Sequence, residues 1–176
     1  MNKIRILYFL WIFPFWAYGQ FSEVGIGFGG AVYYGDMSLD EAVDNFKMVR
    51  PNIGLFASQH FNDRLAVQIG VQNFTLTGDD ALNTRESLRE RNLNFRNNVW
   101  EIALRGEFYL LPFDPDRSKL PFTIYASTGV AVFFHNPKAY YAGNYYALRP
   151  LGTEGQGLPS FPDRKPYSLT QIAIPV

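Results

Sequence analysis

The sequence predicts an all-β fold and, within that class, an antiparallel transmembrane β-barrel. Three observations predict it. The first is alternation of apolar and polar residues, plainest in 99–111, V-W-E-I-A-L-R-G-E-F-Y-L-L. There Trp100, Ile102, Leu104, Phe108 and Leu110 share one face of a strand, and Glu101, Ala103, Arg105 and Glu107 share the other. The second is that the connections between such segments run long, short, long, short, long. Bacterial outer-membrane barrels keep short turns on the periplasmic side and longer loops outside. The third is side-chain volume: the polar face is mostly Gly, Ala and Ser, the apolar face mostly Leu, Ile, Val and Phe.

Three charges inside an apolar run exclude a strand buried on both faces. The polar face then either meets water outside a soluble sheet or lines a barrel whose outside meets lipid. The interior of an eight-stranded barrel is just wide enough for its own side chains. Gly25, Gly27, Gly54, Ala66, Gly70, Ala103, Gly129 and Ala131 fit inside it, and the opposite face would overfill it. Aromatics also bracket the apolar band: Tyr34, Trp100 and Phe134 at the long-loop end, Phe61, Phe108 and Phe122 at the turn end. Such girdles mark the two interfaces of a membrane.

Residues 1–19 read as a signal peptide. Lys3 and Arg5 form a basic start, residues 6–16 an apolar stretch, and Ala17 and Gly19 supply small residues before cleavage at Gln20. Pro14 and the short length argue against a spanning helix. Residues 20–176 form one domain. Its first strand is expected at 24–35, with Val24, Ile26, Phe28, Val32 and Tyr34 on one face and Gly25, Gly27, Gly29 and Ala31 on the other. The G-x-G-x-x-G of Gly25, Gly27 and Gly30 has no helix pattern after it and is no dinucleotide site.

Residues 36–48 form a loop with a helical turn at 41–47. Strands at 52–61 and 64–74 join through Asn62-Asp63 as a hairpin. A long polar connection, 77–98, leads to the strand at 99–111. A Pro- and Asp-rich turn, 112–121, leads to a strand at 122–134. A loop rich in Tyr, Gly and Pro, 135–166, precedes a sixth strand at 167–176. About six strands are therefore visible where a bacterial barrel of this kind has eight, and the expectation is a chain truncated at its C-terminus, with Pro175 removing a ladder donor near that end.

The chemistry of the chain is sparse. It has 176 residues, no cysteine, and 16 bases against 16 acids. That excludes disulfides and thiolate chemistry, and no charge excess points to nucleic acid. Only His60 and His135 offer imidazoles, with no third ligand at metal spacing, and no nucleophile elbow is present. The expectation is no enzyme activity, no cofactor, no metal and no small-molecule substrate. On the polar face of 99–111, Arg105 lies with Glu101 and Glu107, and burial of these charges calls for a lumen ion-pair cluster.

Several motifs carry a family resemblance. G-G-A-V-Y-Y-G-D-M (29–37), R-N-L-N-F-R-N-N-V-W-E (91–101), H-N-P-K-A (135–139) and P-L-G-T-E-G-Q-G (150–157) resemble the PorG family of small outer-membrane barrels in the type IX secretion system of Bacteroidetes. The resemblance covers nearly all of the mature chain. It implies a non-enzymatic barrel in the cell outer membrane, in contact with lipid, that links the periplasmic ring of the secretion machine to that membrane. Members of that family continue past Ile174–Val176.

A periplasmic partner would meet the short turns, and the larger one offers Phe113, Asp114, Asp116 and Arg117 on a backbone stiffened by Pro112, Pro115 and Pro121. The alternative surface is the long external loop, where Tyr140, Tyr141, Tyr145 and Tyr146 suit an interface. Two rival readings of the whole chain are a generic OmpA-like structural or surface-binding barrel and a soluble lipocalin-like binder.

Overall fold

In the computed structural model the described residues are 21–39, 44–112, 122–153 and 155–176. The expected signal peptide, residues 41–43 of the expected helical turn, and the docking-turn residues Phe113, Asp114, Asp116 and Arg117 lie outside them. The fold is all-β. Strands β1 (Phe21–Ala31), β2 (Arg50–His60), β3 (Leu65–Asp79), β4 (Asn94–Tyr109), β5 (Tyr125–His135), β6 (Lys138–Tyr141), β7 (Asn144–Ala147) and β8 (Thr170–Ala173) form one antiparallel sheet. The main order is β1-β2-β3-β4-β5-β8. β6 attaches to the far end of β4 and pairs with β7. Among the described residues β1, β7 and β8 each pair on one side only, so the sheet has open edges and is not closed.

Two of the antiparallel pairs, β2–β3 and β6–β7, are tight hairpins whose turn residues permit them. At 61–64 the Asn62 carboxamide oxygen accepts from the amides of Arg64 and Leu65, at 2.8 and 2.9 Å, which closes the β2–β3 turn. At β6–β7, Ala142 and Gly143 both have positive φ, 47° and 89°, the geometry of a two-residue turn matched to strand twist.

Register then sorts the side chains. Ile26, Leu55, Val71, Ile102, Val132 and Ile172 stand side by side across six strands. On the opposite face the corresponding row is Gly25, Phe56, Gly70, Ala103, Ala131 and Ala173. The apolar face is the exposed one: Val24 and Phe28 are 79% accessible, and Leu104 is 50%. The polar face is the covered one: Glu107 is 3% accessible and His60 is fully buried. A sheet folded in water buries the apolar face, so this arrangement is inverted.

Several strand bounds differ from expectation. β1 ends at Ala31, so Val32 and Tyr34 fall outside it, though both stay exposed. β3 and β4 run five residues further toward the long-loop end than the alternation indicates, pairing Thr75 with Asn98 and Thr77 with Arg96. The 77–98 connection thus shrinks to a short 3-10 turn and helix α1 (Glu86–Arg91). The expected helical turn is a 3-10 helix at Asp44–Met48. The last strand occupies Thr170–Ala173, within the expected 167–176. The 135–166 loop carries the β6–β7 hairpin, which alternation did not signal.

Candidate functional site

Two groups of residues stand apart from simple packing. The first is the interior of the sheet. It curls around a cavity of about 300 Å³ lined from β1 to β5, including Glu23, Ser58, Gln68, Glu101, Arg105 and Tyr125. A continuous chain of side-chain hydrogen bonds crosses it. Asn52 donates to Gln72 (3.1 Å), Gln72 to Glu101 (2.8 Å), and Arg105 to the same Glu101 oxygen (3.0 Å). Arg105 also donates to Gln68 (3.2 Å), Gln68 to Glu107 (2.7 Å), and the Tyr109 hydroxyl to the second Glu107 oxygen (3.0 Å).

The structure therefore brings the three lumen residues together in a different pattern from a simple triad. Arg105 forms an ion pair with Glu101 at 3.0 Å. Glu107 is satisfied by Gln68 and Tyr109 instead. β4 positions all of them, because odd-numbered residues from 99 to 109 share its inner face. Below this chain, at the short-turn end, aromatic rings close the interior. His60 stacks on Phe21 with centroids 4.0 Å apart, Tyr109 lies 5.2 Å from His60, and Tyr125 lies 5.2 Å from Tyr109. Glu23 approaches the His60 Nε2 at 3.6 Å. No periodic pattern signals this cap, since Phe21 precedes the expected first strand.

The second group is the long-loop end. Asp80 is fully buried there, and the Arg91 guanidinium grips both its carboxylate oxygens, at 2.7 and 2.9 Å. That grip holds the Asp80 pKa below its ordinary value of 3.8, although burial alone would raise it. Asn83 ties the same turn to the backbone of Ser38, and Met37, Leu39 and Met48 are buried nearby in the chain of loops. Tyr33 donates to Asp36 at 2.7 Å, and burial together with that bond pushes its hydroxyl up to about 12.

The β6–β7 hairpin stands on this end. Asn94 clamps it by accepting from the Tyr140 amide (2.7 Å) and donating to the Tyr140 carbonyl (3.1 Å). All four predicted tyrosines lie on it and are exposed: Tyr140, Tyr141, Tyr145 and Tyr146. Tyr140 and Tyr145 face each other across the hairpin with rings 5.2 Å apart. After it, Gly152, Gly155 and Gly157 of the P-L-G-T-E-G-Q-G motif all adopt positive φ, which explains why that motif is written in glycine. Among the described residues no group of three His, Asp or Glu could share a metal ion. No helix among them is long and apolar enough to cross a membrane, which says nothing of strands.

Fold and surface together define an antiparallel sheet protein with an apolar outer face and a hydrogen-bonded polar inner one. The chain belongs to the family described as Domain of unknown function (DUF6089), whose model matches residues 2–147. No curated protein and no solved structure matches the chain.

Proposed function

We propose that this chain is a non-enzymatic outer-membrane β-barrel, a structural component of the type IX protein secretion machinery that links its periplasmic ring to the outer membrane. The observation that carries the membrane part is the inverted polarity of the sheet. Six neighbouring strands expose a continuous aliphatic row while Glu101, Arg105 and Glu107 turn inward. Exposed apolar patches of this extent belong against lipid or a partner. Strands of nine to eleven residues, roughly, suffice to cross an outer membrane, and β1, β2 and β5 have 11 each.

The curl of the sheet around one cavity supports a barrel, as do the exposed Phe61, Phe108 and Phe122 near the turns and the Trp100–Phe134 pair near the loops. Closure requires that the edges of β1 and β8 both be paired, because lipid cannot satisfy open ladder groups. The secretion role rests on the resemblance of residues 135–139 and 150–157 to the PorG family. The exposed tyrosine hairpin favours a second reading, a barrel whose working surface is external.

The test is purification of the tagged protein from outer membranes in mild detergent, with identification of what accompanies it. Recovery of periplasmic ring proteins supports the secretion role. Recovery of surface proteins alone supports the second reading, and a protein found in the soluble periplasmic fraction overturns both.

A further inference from the structure

Beyond the Trp100–Phe134 pair the outer face of β4 turns from apolar to basic. Arg96 lies four residues further along, roughly 13 Å at the rise of a strand. Its direct partner across the β4–β6 ladder is Lys138. Two cations placed opposite one another in a ladder repel and destabilise it. Both are exposed, and among the described residues neither forms an ion pair.

The pair frames a groove of about 230 Å³ whose lining is Arg96, Asn98, Asn136, Lys138 and Tyr145. Every one of these side chains can donate a hydrogen bond. An adjoining groove of about 560 Å³ shares Arg96 and Tyr145 and adds Arg50. The acid in its lining, Asp79, has an oxygen already engaged by the amide of Ala81 at 3.0 Å. Guanidinium, ammonium, amide and phenol donors converging on one small concavity match the oxygens of a phosphate.

We propose that this groove binds the phosphate of a lipid headgroup in the outer leaflet. The inference rests on the outer-membrane reading above. Placement selects lipid over a soluble anion: the groove opens directly above the exposed band of Trp100, Ile102, Val132 and Phe134, where the acyl chains of such a lipid would lie. A bound phosphate also removes the repulsion between Arg96 and Lys138, which the ladder otherwise has to carry.

The experiment refolds the full chain into three kinds of vesicle: phosphatidylcholine alone, phosphatidylcholine with lipid A carrying both phosphates, and phosphatidylcholine with dephosphorylated lipid A. Insertion is read as a compact, heat-modifiable gel band, and binding as lipid A retained through detergent extraction, measured by mass spectrometry. Insertion is expected in all three, with retention of the phosphorylated lipid only. Arg96→Gln and Lys138→Gln should each lower retention about five-fold, and the double variant about 25-fold, from the contribution of one base near an anionic surface. Lys138→Gln should insert into phosphatidylcholine alone at least as well as the parent, since it relieves repulsion.

Equal retention of the dephosphorylated lipid, or unchanged retention in the double variant, overturns the proposal. So does binding of inorganic phosphate in phosphatidylcholine vesicles with the same dependence on Arg96 and Lys138 and no retention of lipid A, which identifies a soluble anion as occupant. Failure to insert into any vesicle overturns the barrel reading itself, and this inference with it.

Discussion

Arg105 and Glu107 lie two residues apart on the inner face of β4, yet Gln68 of β3 stands between their charges. Its carboxamide oxygen accepts from Arg105 at 3.2 Å and its nitrogen donates to Glu107 at 2.7 Å. The neutral amide thereby satisfies a cation and an anion at once, and lets Arg105 commit its other nitrogen to Glu101.

This arrangement makes Gln68 and Arg105 energetically coupled. Arg105→Ala leaves Glu101, whose side chain is 12% accessible, dependent on the Gln72 carboxamide as donor. The expected cost is about 1–3 kcal/mol, the value of a charged hydrogen bond in a partly wetted site. Gln68→Ala should cost a similar amount. The double variant should cost clearly less than the sum, because both single changes break the same link. Urea titration of the protein in detergent measures all three; strict additivity would mean that Gln68 does not bridge.

At the long-loop end the sign of the pH dependence follows from Asp80. Arg91 holds its folded pKa below the ordinary 3.8. A group depressed on folding contributes stability that is present above its unfolded value and lost as pH falls through its folded one. The 80–93 segment should therefore stay ordered at neutral pH and loosen only below the usual carboxylate range. The Leu93 amide, which donates to Asp80 at 3.2 Å, reports this by hydrogen exchange. Asp80→Asn should speed its exchange about ten- to a hundred-fold at neutral pH and remove the acid dependence.

The β6–β7 turn gives a prediction of opposite sign at two adjacent residues. Ala142 holds φ at 47°, which costs an alanine more than an asparagine. Ala142→Asn should stabilise the hairpin by about 0.5 kcal/mol, and Gly143→Val, at φ 89°, should destabilise it by about 1–2 kcal/mol. Protease nicking between Tyr141 and Asn144 should fall in the first and rise in the second. Equal nicking in both would mean that the turn does not hold this geometry.

How much of this was legible in the sequence depends on contrast between faces. Strands β2 to β5 alternate large apolar with small or polar residues, so their existence, order and inner and outer faces could be read directly. The extensions of β3 and β4 could not, because beyond the apolar band the contrast fades and reverses: Thr75, Thr77, Asp79, Asn94, Arg96 and Asn98 are polar on the outer face, while Leu76 and Phe95 fall on the inner one. The Tyr-Tyr-Ala-Gly-Asn-Tyr-Tyr run hid its hairpin for the same reason, although Ala142-Gly143 between tyrosine pairs was a usable turn signal. Arg105 and its glutamates were visible as one face. The Gln68 bridge, the Tyr109 hydroxyl and the His60 cap depend on register between strands, which a single strand's pattern does not contain.

The sharpest prediction concerns two adjacent residues of β4. Leu104 is 50% accessible on the apolar face, between Ile69 and Val130, and Ala103 is 3% accessible on the inner face, between Gly70 and Ala131. Leu104→Arg places a charge against lipid, and on the barrel reading should cost about 2–4 kcal/mol at the bilayer midplane. That cost should shrink in detergent micelles, where water reaches the side chain. Ala103→Arg meets a different obstacle. Its side chain lines the interior cavity of about 300 Å³, so a long cation there crowds that space beside Arg105 instead of meeting lipid, and that cost should be the same in micelles and in vesicles. Comparing folding of the two variants in both media therefore separates lipid exposure from interior volume. If Leu104→Arg folds equally well in vesicles and micelles, the outer face of β4 does not meet lipid, and its apolar row must be covered by protein instead.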